Sequence, residues 1–264
     1  MADMQIYVCV KHVPDSAAGI TITGDTGIDR NTPFLLNPFD EHAVTEAVKI
    51  RENFSSMAGE KSEVIAVCLG SEDAHDTIQS ALEMGSDRGI LIQTKERHDS
   101  ITTAKALKKA IEKDGRPDMI LTGRESIDAE GMQTMFRIGK LFNFPAANNI
   151  VKIDFEDEHA VVDHALANGV INTYKLTLPC VLGTGKGLNT PRYPTFKDVV
   201  KARRKEIKRV DLNDLNLEPS SSFTDIVKLE PLKSERTPEE IKGTAVEAAG
   251  KIIQILKHKA KVIS

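Results

Sequence analysis

Two glycine-containing stretches of this chain have residue types that could hold a phosphate. Residues 123–134 (GRESIDAEGMQT) follow a short apolar run, Met119–Thr122, and lead into a segment of helical pattern. A strand passing into a helix in this way opens the helix N-terminus at the carboxyl edge of a sheet, where ligands of open α/β sheets sit. Gly123 and Gly131 allow close backbone approach. The free N–H groups near Met132, Gln133 and Thr134, with the Thr134 hydroxyl, suit an anion. The same residues also fit a plain helix start with Asp128 as N-cap. Residues 183–187 (GTGKG) fail both phosphate patterns: Cys180 and Gly187 break the P-loop spacing, and Leu188 stands where a dinucleotide fingerprint needs its last glycine. A plain loop is expected there.

Other chemistry is poorly served. The seven His do not form H-x-x-x-H or pair with cysteine at ligand spacing, and no G-x-S-x-G elbow occurs. His12 and His42 read as surface or hydrogen-bonded side chains. Asp154, Glu156, Asp157 and Glu158 read as a solvated hairpin turn. Cys9, Cys68 and Cys180 are far apart in sequence and lie in apolar runs, so they read as small buried hydrophobes. No catalytic residue is expected. The basic run at Lys201–Lys205 with Lys208 and Arg209 is a solvated helix face or, beside Phe196, a patch that steers an acidic partner.

The elements that must position these residues follow from periodicity. Residues 4–10, 64–68, 89–92 and 119–122 are short apolar runs that read as buried strands. Helices are expected between them: one opening at Asn37-Pro38, with Asn37 as N-cap, and others from Ser71 towards Met84, from Ser100 to Asp114, and after Gly123 towards Phe142. The alternation implies parallel crossovers in a doubly wound α/β sheet. Residues 14–36 read as a long loop or irregular hairpin. Residues 150–155, 159–166 and 170–177 read as added antiparallel strands, and 179–182 as one more buried strand. A loop over 183–196, a basic helix over 197–209, an extended arm over 210–235 and a terminal helix opened by the Thr237–Glu240 capping box complete the chain. An α/β domain is thus expected over 1–209, with the phosphate-suited stretch 123–134 making it a candidate nucleotide-binding domain, and a C-terminal arm and helix over 210–264 that need a surface to dock on, such as a partner chain.

The 264 residues carry a formal net charge of -4, with 40% hydrophobic and 28% charged residues. Nothing here calls for nucleic acid, and no apolar run has the length of a membrane span. The cysteine usage and the absence of a secretion signal lead to the cytoplasm as the expected compartment.

Taken in order, several segments resemble electron transfer flavoprotein beta subunits over nearly the whole chain. They are residues 8–15 (VCVKHVPD), 37–41 (NPFDE) with Ala43, Val44 and 46–48, 81–90 (ALEMGSDRGI), 123–128 (GRESID) with Gln133 and Thr134, Leu178-Pro179, and 188–193 (LNTPRY) with Lys201 and Ala202. The resemblance implies a heterodimer with an alpha subunit that carries FAD, while this chain holds AMP as a structural nucleotide. AMP would lie among Cys9, Asn37, Pro38, Phe39, Asp40, Leu69, Gly123, Arg124, Glu125, Ser126, Ile127, Asp128, Ala129, Met132, Gln133 and Thr134, with Phe39 towards the partner's flavin. Leu188, Asn189, Pro191, Arg192, Tyr193 and Phe196 would form a docking loop for a flavin dehydrogenase, Phe196 taking the place of an apolar anchor that is commonly Leu. Lys201 and Arg204 match basic positions after it. The acceptor would be a quinone-linked oxidoreductase. A second family type holds a second FAD in place of AMP. It usually has Asp after Asn-Pro, and Phe39 here favours the AMP type. Ala165, Leu166, Asn168 and Asn172 depart from the family's Arg and acidic residues, and the Arg-Thr-Ala-Gly stretch is missing around Arg236-Thr237. A stand-alone ATP-dependent ligase would need an early S-G-G-x-D/S loop, which is absent. A nucleotide-sensing module is the remaining rival.

Overall fold

A computed structural model describes residues 4–29, 31–58, 62–217, 224–231, 238 and 240–263. The chain separates into two compact units, Met1–Lys228 and Leu229–Ser264.

The first unit is built on a nine-stranded sheet. β1 (Gln5–Cys9) is followed by β2 (His12–Pro14), a two-residue pair β3 (Ile22–Thr23) and β4 (Gly27–Ile28), and β5 (Phe34–Leu36). β2 pairs with β5 and β3 with β4, so residues 14–36 are the irregular hairpin expected. Then come α1 (Pro38–Ala58), β6 (Glu63–Gly70), α2 (Ala74–Met84), β7 (Arg88–Gln93), α3 (Ser100–Asp114), β8 (Met119–Gly123) and α4 (Thr134–Phe142). β9 (Ala146–Glu156), β10 (His159–Ala165), β11 (Ile171–Thr177), β12 (Cys180–Thr184), α5 (Phe196–Ala202) and β13 (Ile207–Asp211) complete the body. The strand order is β11-β10-β9-β12-β8-β1-β6-β7-β13.

The sequence explains this division of labour. β8 and β12 are buried at every position, and β1 at all but its first, as parallel strands covered on both faces must be. β10 pairs antiparallel with β9 and with β11, and β11 exposes most of its residues at the sheet edge. One face carries α1, where Ala43, Val44, Ala47 and Val48 are fully buried, together with Ile78 and Leu82 of α2 and Ala202 of α5. The other face carries Leu107 and Ile111 of α3 and Ile138 of α4. Burying each large aliphatic side chain contributes about 1.5–3 kcal/mol.

Five expectations need correction. α2 starts at Ala74, three residues after Ser71, whose carbonyl accepts from Ala74 N (3.0 Å). α4 starts only at Thr134, so residues 124–133 are loop and Asp128 is not its N-cap. The strand β12 runs on through Gly183 and Thr184, and the loop is shorter than expected. The basic helix stops at Ala202, because Ile207 packs into the core on one face of the sheet and Val210 into the core on the other. Two residues three apart reach opposite faces in a strand, not in a helix. β13 therefore pairs with β7 as an edge strand, and a 3-10 turn (Leu212–Leu215) follows with Leu215 buried. The body thus continues past Arg209.

In the second unit, α6 (Ala245–Gln254) is opened by a Thr244–Glu247 capping box. The Thr237–Glu240 signal falls partly outside the described residues, and Pro238 and Glu240 are not helical. Among the described residues of this unit none is buried. No helix of the described residues is long and apolar enough to cross a membrane.

Candidate functional site

β1 sits between β6 and β8, and the chain departs from it first one way, through β6 and β7, then the other, through β8 and β12. The carboxyl ends of β1 and β8 therefore flank a topological switch point, the position where open α/β sheets form a ligand crevice. Cys9 ends β1 and Gly123 ends β8, with Cys9 paired to Thr122.

The start of α1 closes the base of this crevice. Asp40 is 4% exposed, and its two carboxylate oxygens accept from Lys11 N and Gly123 N, each at 2.8 Å. One side chain thus ties the ends of both flanking strands to the helix. Burial pushes the Asp40 carboxyl up to about 7, although both amides, Asn37 and the Lys11 charge act in the opposite direction. Asn37, 1% exposed, spends its side chain on the loop after β8: Nδ2 donates to Glu125 O (2.9 Å) and Oδ1 accepts from Ile127 N (3.2 Å). The expected N-cap works through its main chain instead, its carbonyl accepting from Asp40 N at 2.8 Å. An amide side chain that matches one backbone donor and one acceptor fixes that loop as a strand partner would.

Gly123 is there because nothing larger fits. A Cβ would lie 2.6 Å from Phe39 Cβ and 2.8 Å from the Phe39 carbonyl carbon, and would run into the Asp40 carboxylate. The Thr184 hydroxyl lies 3.1 Å from Phe39 O and 3.0 Å from Thr122 O, so it braces the same contact from β12. The Phe39 ring is covered by the Arg124 guanidinium, 4.8 Å from its centroid, and that guanidinium is held by Glu125. Lys11 Nζ reaches over to Asp128 (2.6 Å) and Ser126 Oγ (3.2 Å). Burial alone would raise the Asp128 carboxyl, but the Lys11 charge overrides it and holds the group low.

The outer wall is open. Residues 128–133 are exposed, with Glu130 and Met132 in left-handed conformation (φ 48° and 49°) on either side of Gly131. Gln133 precedes α4 without capping it, its carbonyl oxygen Oε1 accepting instead from Arg137 Nη2 at 2.5 Å. Leu69 stands at the same edge, half-buried, two residues beyond Val67, the neighbour of Cys9. The Cys9 thiol is pushed up by burial, with Asp40 adding to it, and is no nucleophile. His12 is a hydrogen-bonded side chain, stacked on Phe34 (4.6 Å) with Nδ1 2.7 Å from Thr77 Oγ1. Burial lowers its pKa.

The residues read as a docking loop divide in two. Tyr193 and Phe196 are 93% and 83% exposed, and Lys201 and Arg204 are exposed beside them. Leu188 and Pro191 are half-buried. Asn189 and the Arg192 backbone turn instead onto α1, bonding His42, Glu46 and Thr45. Lys11, Thr45 and Thr184 escaped the sequence reading. Lys11 and Thr184 lie in segments already singled out, 8–15 and 183–187, but nothing in the spacing assigns them a partner 60 or more residues away.

These features define a doubly wound α/β protein with a backbone-lined crevice at its switch point. A sequence description of the electron transfer flavoprotein domain matches residues 25–215. The chain is 34% identical over 264 residues to "Electron transfer flavoprotein subunit beta, mitochondrial" of Arabidopsis thaliana, covering 98% of this chain and 100% of the relative. It is 31% identical over 268 residues to the human "Electron transfer flavoprotein subunit beta", covering 99% and 100%. The Dictyostelium discoideum protein of that name is also 31% identical, over 261 residues. The chain belongs to the electron transfer flavoprotein family, among its beta subunits.

Proposed function

We propose that this chain is the non-catalytic beta subunit of a heterodimeric electron carrier, holding AMP at the switch point and supporting FAD bound by an alpha subunit. Electrons would enter from a flavin dehydrogenase of the acyl-CoA dehydrogenase type and leave to a quinone-linked oxidoreductase. The FAD of the partner supplies the redox chemistry, and AMP supplies none. Three free cysteines, all buried, suit a reducing compartment such as the cytoplasm.

The observation that carries the reading is the N-terminus of α4, whose N-cap residue Gln133 makes no side-chain cap bond and which follows the exposed 128–133 loop at the crevice. Uncapped first-turn amides are a ready phosphate site. The fit extends inward. Gly123 keeps the crevice floor free of a side chain, and Asn37 and Asp40 have spent their polar groups on backbone, so the loop after β8 is shaped before any ligand arrives. Gly123 to Thr134, with Cys9 and Leu69 at the same sheet edge, would hold the nucleotide. The exposed apolar side chains of the second unit, Val246 at 82% and Ile253 at 54%, fit docking on the alpha subunit.

The second reading, FAD in place of AMP, is disfavoured by Phe39, whose ring is already covered by Arg124. One experiment separates them. The chain is co-expressed with its alpha subunit, the purified complex is denatured, and released nucleotides are counted by chromatography. One AMP and one FAD per heterodimer is expected. Two FAD with no AMP would transfer the protein to the second type, and no adenine nucleotide at all would remove the proposed role of the crevice.

A further inference from the structure

Among the described residues of the first unit, the most exposed aromatic side chains, Tyr193 and Phe196, stand on and just after a loop that is fastened from behind. Residues 185–195 contain no regular element, yet Asn189 makes three polar contacts with α1. Its Nδ2 donates to His42 O (2.9 Å) and Glu46 Oε2 (2.8 Å), and its Oδ1 lies 2.9 Å from His42 Nδ1. With the amide nitrogen committed to two acceptors, the oxygen must accept, so His42 Nδ1 carries the hydrogen. Three residues on, Arg192 N donates to the hydroxyl of Thr45, which is 3% exposed (2.9 Å). Arg192 Nη1 adds an exposed pair with Glu52 at 2.8 Å. Past this point, Thr195 and Asp198 form the capping box of α5, which fixes the exit. Tyr193 and Phe196 lie between and just after these fastenings.

We propose that Asn189 and Thr45 are positioning residues: they hold the loop in its partner-binding shape before a partner arrives, so that Tyr193 and Phe196 dock without the loop having to be ordered. The proposal rests on the docking reading above and adds its cause. Hydrogen bonds to a buried hydroxyl and to a helix carbonyl keep the backbone in place while the rings face water. Preorganisation of this kind acts on affinity, by removing an ordering cost at the moment of binding. It does not act on the electron-transfer step that follows. Asn189 therefore serves the surface from inside the molecule, not by touching the partner.

The test uses the flavin-loaded heterodimer, with an acyl-CoA dehydrogenase reduced by its acyl-CoA as donor. Thr45→Val is nearly isosteric and removes only the hydroxyl, Thr45→Ser restores it, and Asn189→Ala removes the second fastening. Amide hydrogen exchange over 188–195 is read first, since it reports loop order without any turnover. Exchange is expected to rise severalfold in Thr45→Val and Asn189→Ala and to return towards the parent rate in Thr45→Ser. The KM for the donor is expected to rise about fivefold in the same two variants, with the limiting rate retained. Phe196→Ala is the control for docking itself. If it raises KM while Thr45→Val and Asn189→Ala change neither exchange nor KM, the loop holds its shape unaided and the proposal is wrong, with docking intact. If Phe196→Ala leaves KM unchanged, the docking reading fails and takes the proposal with it. A limiting rate that falls in step with rising KM would place the effect on electron transfer and would equally overturn a positioning role.

Discussion

The two sites on the first unit use the same helix in opposite ways. At the switch point, the start of α1 turns polar groups inward: Asn37 and Asp40 are buried and bond the backbone of the strand ends and the loop after β8. At the 185–195 loop, the middle of α1 offers Thr45, His42 and Glu46 to hold a segment whose aromatic residues point out. In the crevice the stabilising bonds and the proposed nucleotide surface belong to the same stretch of residues. On the loop they are different residues. Stability and function should therefore fail together in the crevice and separately on the loop, and substitutions can break that contrast in a graded way.

The largest effect is expected from Gly123→Ala. Its Cβ would meet Phe39 at 2.6 Å and press into the Asp40 carboxylate, and neither is the free end of a flexible chain. Phe39 is braced by Thr184 and covered by Arg124, and Asp40 is locked by two amides. Overpacking at such a point costs about 3 kcal/mol, roughly 6–12 °C of melting temperature for a body of this size. Nucleotide content should fall with it. A Gly123→Ala protein that melts within a degree or two of the parent would mean that the crevice floor can give way, and the contrast with the loop would lose its basis.

Asp40→Asn should cost less and should do so in a pH-dependent way. An asparagine has one acceptor oxygen where a carboxyl group, ionised or protonated, has two, so either Lys11 N or Gly123 N would face an amide donor. Leaving a buried N–H unsatisfied costs about 1–3 kcal/mol. The sign of the pH effect follows from burial, which lifts the carboxyl from its ordinary 3.8 to about 7 in the folded chain. A raised acid contributes stability that is fully present below its unfolded value and is lost as pH rises through the folded one. The parent's advantage over Asp40→Asn should thus be larger at pH 5 than at pH 8, the loss falling between 3.8 and about 7. Urea midpoints for both proteins at the two pH values measure this directly. A gap that is constant or widens towards pH 8 would mean that the two amide bonds, not burial, set the ionisation of Asp40.

The strand–helix alternation was legible because fully buried parallel strands leave continuous apolar runs, as in 64–68 and 119–122, and because Asn37-Pro38 carries a local start signal. Residues 197–209 were misread for a definite reason. A charge-rich segment shows no period of its own, and only the tertiary pairing of Ile207 and Val210 with opposite cores makes it a strand. The crevice was half legible. Gly123, Asn37 and Asp40 could be singled out as types that suit helix starts and close approach. Their partners could not, since Asp40 bonds Gly123 across 83 positions and Thr184 braces Phe39 across 145. The anchoring of the loop on Thr45 was invisible altogether, because a threonine within a helix sequence looks the same whether or not its hydroxyl meets a distant amide.

The smallest effect on stability is expected where the effect on docking is expected to be plain. Phe196 is 83% exposed and Tyr193 93%, so truncating either removes almost no buried area. Surface changes of this kind stay within about 0.5 kcal/mol, and the capping box of α5 uses Thr195 and Asp198, not Phe196. Phe196→Ala and Tyr193→Ala should therefore melt with the parent, and removing an apolar side chain from water leaves no reason for a loss. A clear fall in melting temperature for Phe196→Ala would mean that its ring is folded against the body in solution. The side chain would then be part of the fold, as Asp40 is, and the loop would follow the crevice: the residues that stabilise and the residues proposed to function would be the same there too.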